Sequence, residues 1–238
     1  MKKIVLALLV FATSTAVAQK KKDWSKVDLN QAGDHIMVQF GLDNWAGAPD
    51  SISSHMKSFS RGLNIYLMIN KPFKTDPRWS VAFGAGIGSS SIGFKKLDVD
   101  LKASGAVLPF RNLDSADRFK KYKLATTFLE APVELRYTFN PEKQNKSWKI
   151  AIGAKVGTML NAHTKGKTLQ NKYGTTLNSY TEKESKKVFF NSTRIAGTFR
   201  VGVGHFSLFG SYQFTNLLKD GAGADMHPYQ FGLCLSGL

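Results

Sequence analysis

Trp148-Lys149-Ile150-Ala151-Ile152-Gly153-Ala154-Lys155-Val156-Gly157-Thr158-Met159-Leu160-Asn161 decides the fold. Successive side chains of a strand point to opposite faces, so the even positions from Trp148 to Leu160 make one greasy face. The odd positions make another of small or charged residues, Lys149 and Lys155 among them. Trp79 to Gly88 repeats the rhythm, with Trp79, Val81, Phe83, Ala85 and Ile87 set against Ser80, Ala82, Gly84, Gly86 and Gly88. Leu129 to Phe139 sets Leu129, Val133, Leu135, Tyr137 and Phe139 against Glu130, Glu134 and Arg136, and Ile195 to Val203 does the same around Arg200. His35 to Leu42, Leu63 to Asn70, Phe206 to Phe214 and Tyr229 to the C-terminus bring the count to eight, an even number, as a closed bacterial barrel needs.

The connections alternate in length. About 43–60, 95–123, 164–187 and 218–228 are long, whereas 71–78, 140–147 and the Gly204-His205 turn are short. Membrane barrels of the outer-membrane type have short periplasmic turns and longer outer loops, so both termini are expected in the periplasm. The fold expected is therefore all-β, an eight-stranded antiparallel transmembrane meander β-barrel over 34–238.

The start of the chain agrees with export. Lys2 and Lys3, the apolar run Ile4 to Phe11 and the small residues Ala16-Val17-Ala18 read as a signal peptide over 1–18, followed by a basic, polar periplasmic lead-in over 19–33. No apolar run after it approaches the roughly 18 to 20 residues that a spanning helix requires. Cys234 is the only cysteine, so it has no intramolecular disulfide partner and reads as a small side chain filling space in a strand.

Alternation alone also fits a soluble barrel with its greasy face inward. The aromatic residues separate the two. Trp79, Tyr137, Phe139, Trp148 and Phe206 all fall on the apolar face at strand ends beside short turns, where a girdle at one membrane interface would sit. The opposite face, rich in Gly and Ala with a few long charges, suits a narrow interior.

Thr127-Phe128-Leu129-Glu130-Ala131-Pro132-Val133-Glu134-Leu135-Arg136-Tyr137 resembles the Leu-Glu-x-Pro strand of the PorT-like outer-membrane β-barrel proteins of Bacteroidetes. The Gly-rich strand from Ser80 and the closing Tyr229-Gln230-Phe231-Gly232-Leu233 fit the same family. Ala131 stands where Ile or Val is commoner, and Leu238 where an aromatic residue is usual. The resemblance implies a Gram-negative outer membrane. One branch of the family takes part in secretion of cell-surface proteins, and no residue here assigns the chain to that branch.

Glu130, Glu134, Arg136, Lys149, Lys155, Arg194 and Arg200 share the inward face of neighbouring strands, and buried charges must pair. A salt-bridged plug is expected, with a narrow ion path as the alternative, since eight strands enclose little more than side chains. A lipid A-modifying enzyme would need a His-activated group at the outer rim, for which His163 and Ser89 to Ser91 are the nominees, but neither sits in a recognisable motif. The expectation is no enzyme, no cofactor and no metal. The net charge of +16 resembles that of a nucleic-acid binder, a reading that export opposes. The expected partners are outer-membrane lipids, lipopolysaccharide met by the lysines of the second and third long loops, and envelope or secretion proteins. The role expected is structural or interactive, an accessory to secretion or envelope assembly.

Overall fold

The computed structural model describes residues 36–237; the stretches read above as a signal peptide and lead-in, 1–33, lie outside them. Eight strands close into an antiparallel barrel: β1 (Ile36–Ala46), β2 (Arg61–Pro72), β3 (Trp79–Phe94), β6 (Arg118–Thr138), β7 (Trp148–Gln170), β9 (Thr193–Val203), β10 (Phe206–Gln213) and β11 (His227–Ser236). Each pairs with its neighbour in chain order, and β11 returns to β1 in a register that sets Phe40 opposite Leu233. No barrel edge is left unpaired, so the wall presents no open row of backbone donors and acceptors to its surroundings.

The wall is greasy outside and charged inside. Phe40, Leu67, Ile87, Val133, Ile152, Phe199, Leu208 and Leu233 are exposed, while Glu130, Glu134, Arg136, Lys155, Arg194 and Arg200 are buried. A soluble barrel would invert this, because exposing that much contiguous apolar wall to water costs about 25 cal/mol for each Å². The wall is built for lipid.

The short turns carry the chemistry their geometry needs. In the β2–β3 turn Asp76 accepts from the backbone N–H of Arg78 at 3.1 Å and pairs with its guanidinium at 2.6 Å. Those hydrogen bonds hold the Asp76 carboxyl below its usual range. Asn140 caps a short 3-10 turn (Pro141–Lys146) by accepting from the N–H of Glu142. Gly204 turns β9 into β10 at φ +58, the left-handed conformation that the first central residue of a tight II′ hairpin demands.

At the long-loop end the strands outrun the expected wall. β6 begins at Arg118, eleven positions before Leu129, and β7 runs on to Gln170. β8 (Thr176–Ser185) folds back along β7, so β6, β7 and β8 form a three-stranded extension beyond the barrel. An extra residue on β7 opposite the Thr127/Phe128 step makes a bulge. Inward positions are odd below it, as with Lys155 and Met159, and even above it, as with Ala162 and Thr164. The connection before β6 holds a small hairpin, β4 (Leu97–Val99) and β5 (Phe110–Asn112), and the first long connection holds one helical turn, α1 (Asp50–Ser53).

Val133 lies midway along the lipid-facing run of β6. Val133→Arg is expected to cost about 2–4 kcal/mol, against about 0–1 kcal/mol for Thr127→Arg nearer the rim. Urea unfolding in lipid vesicles checks the pair.

Candidate functional site

The barrel interior is built from two ionic layers. In the first, Glu130 of β6 collects three donors from three other strands. Tyr66 of β2 donates its hydroxyl to Oε2, Lys155 of β7 pairs with the same oxygen at 3.1 Å, and Arg194 of β9 pairs with Oε1 at 2.8 Å. Arg194 also donates from Nε to Gln213 on β10 at 2.8 Å. Glu130 is only 1% exposed and Lys155 4%, so each charge has given up nearly all of its water and depends on these partners. Glycines make the room: a Cβ at Gly88 would collide with the Glu130 carboxylate, and one at Gly157 with its Cγ.

The second layer lies nearer the short turns. Glu134 Oε2 takes Arg136 Nε at 2.8 Å and Arg200 Nη2 at 2.9 Å. Arg200 Nη1 reaches Ser236 Oγ at 2.9 Å and Cys234 Sγ at 3.8 Å. Met37, Met68, Ala82, Phe209 and Cys234 pack with Tyr66 beside it, so Cys234 does fill space in a strand. Lys149 faces inward too, half-buried at the short-turn mouth. There it lines a cavity of about 30 Å³ with Arg136, Arg200 and Ser207. A second cavity, of about 20 Å³, lies beside Lys155 and Arg194. Since one water needs roughly 10–15 Å³, these spaces have room for a few waters each and none for a solute.

The seven charges expected inside are all inward, as two layers rather than one cluster. Missing from the sequence reading are Tyr66, Gln213, and Asn64, which donates to Gln39 at 3.0 Å and to Gln230 at 2.7 Å. The alternation of Leu63 to Asn70 carries the signal for Asn64 and Tyr66, both on its inward parity.

The long-loop end is closed. Trp45, Ile52, Phe94, Leu97, Val99, Leu101, Leu108, Phe189, Phe190, Leu217, Leu218 and Met226 form one buried apolar core with Leu124 and Phe128 beneath them. All four long connections contribute, and backbone hydrogen bonds tie them together: Lys95 N–H to His55 O, Leu108 N–H to Ala222 O and Lys219 N–H to Phe189 O, at 2.8 to 2.9 Å. Phe128 joins cap to plug, because the Arg194 guanidinium lies 4.2 Å from its ring centroid. Tyr122 pins the β4 hairpin with a pair of 3.0 Å hydrogen bonds to Val99, and burial pushes its phenol well above the usual range.

The expected girdle residues stand together at the short-turn rim. Trp79 and Tyr137 meet edge to face at 4.9 Å, Tyr137 and Phe139 at 5.1 Å. Trp79, Phe139, Trp148 and Phe206 are exposed, and Tyr137 is half-buried. The catalytic nominees do not come together. Ser91 and His163 share a row with Ala125 between them, about 10 Å apart at roughly 4.8 Å per strand spacing. His163 Nδ1 instead lies 3.4 Å from Asn161 Nδ2. No cluster of His, Cys, Asp or Glu that could hold a metal occurs among the described residues.

The extension sorts its charges by face. Glu182 and Glu184 of β8 face inward to a groove of about 340 Å³ that Asp98, Asp100, Arg111 and Phe119 also line. Glu184 pairs there with Lys102 at 2.8 Å. Lysines occupy the outward face.

A closed antiparallel barrel with an apolar outer wall, a paired ionic interior and aromatic residues at its rim is a transmembrane β-barrel. The family described as Outer membrane protein beta-barrel domain matches residues 32–218, and the chain belongs to it. The protein therefore resides in the outer membrane. No curated protein matches the chain. Among solved structures, that of Ail, the attachment invasion locus protein of Yersinia pestis, aligns with 15% identity over 86% of this chain and 97% of that one, at a TM-score of 0.37.

Removing the Glu130 carboxylate strands two buried cations. Glu130→Ala is expected to destabilise the barrel by about 3–5 kcal/mol, whereas Cys234→Ala, which removes one small side chain, costs far less. The urea midpoints of the two variants check this.

Proposed function

We propose that this barrel is an interaction protein of the outer membrane, an accessory to envelope assembly or protein secretion that neither conducts solutes nor catalyses a reaction. The observation that carries the reading is double closure: a paired ionic plug fills the wall, and an apolar cap built from all four long connections seals one end. A pore would need both to open. With the interior filled, the parts left to meet partners are the ends, above all the β6–β7–β8 extension with exposed Tyr173, Leu177 and Tyr180.

The extension is taken to face the exterior and the termini the periplasm. The short turns, the start of β1 and the end of β11 share one end of an even-stranded barrel, as in barrels whose long loops are outside. The Leu-Glu-x-Pro strand now forms the inner wall that carries Glu130, and it supports a PorT-like assignment. The separation of Ser91 from His163 argues against a His-activated nucleophile, which needs direct hydrogen-bond reach.

In planar bilayers the purified barrel is expected to stay silent at 100 mV, and sustained conductance steps would sink the closed-barrel reading. Affinity capture of the tagged protein from native outer membranes is expected to retain an envelope or secretion protein in stoichiometric amount. Recovery of the barrel alone would remove the accessory role.

A further inference from the structure

The outward face of the extension carries a row of cations with an unusual register. Lys123 of β6 sits directly opposite Lys165 of β7, and Lys165 directly opposite Lys183 of β8. One step on, Lys121 faces Lys167. On the other flank, Lys57 lays its aliphatic stem over Gly93, the position that pairs with Lys123. Three strands thus present lysine at one height, with Lys57 of the first long connection beside them. Like charges placed directly across strands destabilise a sheet, so this row lowers the stability of the free extension.

Two ordinary explanations do not account for it. Edge protection needs lysine only on β8, whereas β7 is paired on both sides there and still carries Lys165 and Lys167. Solubility is served by mixed signs, as on the inner face where Glu184 meets Lys102. The acids of β8 line the groove on that inner face, so the outward row has no carboxylate from its own strand. The neighbours repel one another: burial first, then Lys165 and Arg61, hold the Lys123 ammonium below its usual range. Burial, then Lys183, Lys123 and Lys165, do the same to His163 beside them.

Height identifies the counter-charge. Lys123 stands fourteen positions beyond Tyr137 on β6, about 35 Å along the axis at ~3.3 Å per residue and a tilt of roughly 40°, hence about 10 Å past an apolar band roughly 25 Å tall. Leu160 on β7 and Leu129 on β6 are the last large apolar side chains beneath the row, and both are exposed to lipid. A ligand held there has its acyl part against the wall and its anionic part level with the lysines.

We infer that Lys123, Lys165 and Lys183, with Lys57 beside them, form a binding site for the phosphate groups of an outer-leaflet lipid of the lipid A class. The inference rests on the outward orientation of the long loops proposed above. Ammonium groups suit phosphate as compact point charges, and the ladder spacing lets one phosphate lie between two strands.

The test uses the full-length protein in micelles and native mass spectrometry, with bisphosphorylated lipid A and the same lipid A stripped of phosphate as probes. Expected is retention of the phosphorylated form at least tenfold better than the stripped one. Lys123→Gln/Lys165→Gln/Lys183→Gln is expected to abolish the difference, and Lys120→Gln/Lys172→Gln/Lys219→Gln, of equal charge change, to keep it. Equal loss in both triple variants, or retention indifferent to phosphate, overturns the site. So does full competition by millimolar inorganic phosphate or by polyglutamate, which would assign the row to soluble phosphate or to an acidic polymer. Micelle binding is blind to orientation. Impermeant thiol labelling of Tyr173→Cys in whole cells tests the orientation separately.

Discussion

The structure depends on one carboxylate buried inside a barrel that side chains nearly fill. Glu130 binds donors from β2, β7 and β9 while it is itself carried on β6, so four of the eight strands meet at its two oxygens. Coulomb attraction grows as the local dielectric falls, and so does the penalty for leaving any member unpaired. The arrangement therefore demands a full set. It also demands space, which Gly157 directly opposite and Gly88 one step diagonal to it supply, since a Cβ at either would strike the Glu130 side chain. Small residues and long charges are two halves of one packing solution.

Above this plug the chain changes solvent and, with it, the logic of burial. Inside the lipid the apolar side chains point outward, and beyond it Leu124, Ile92 and Phe94 point inward to the cap. β6 keeps its parity through the change because its inward residues switch from charged to apolar between Glu130 and Phe128. β7 uses the bulge instead, which turns Ala162 and Thr164 inward in a strand whose odd residues faced in below. Phe128 sits at the junction, a floor for the cap and a cation–π partner for Arg194.

Much of this was legible in the sequence. The eight wall strands, the inward charges and the rim aromatics all follow from period two, since in lipid one face must be apolar and the pleat leaves no other choice. Tyr66 and Asn64 were within reach by the same parity. The cap was not, because Leu97, Val99, Leu101 and Leu108 lie in a stretch whose partners come from Ile52, Phe190 and Leu217, far off in the chain. Nor was the lysine ladder. Lys123, Lys165 and Lys183 read as scattered loop charges until three strands are known to continue past the membrane and the register puts them face to face.

The division of charge within the extension follows from where each face looks. Its inner face closes on the β4–β5 hairpin, where Glu184 pairs with Lys102 and Glu182 lines the same groove. On the outer face Lys165 and Lys167 are exposed. A strand whose side chains alternate between these two environments can satisfy one set internally, and the other set must look outside the molecule. Repulsion among lysines held by a rigid sheet is not relieved by rearrangement, because the register is fixed by the barrel below. Salt and the flexible lysine stems ease it in part; an anion brought to the row would relieve the rest, and the phosphate site proposed above would lose less conformational entropy on binding than the same lysines on a mobile loop.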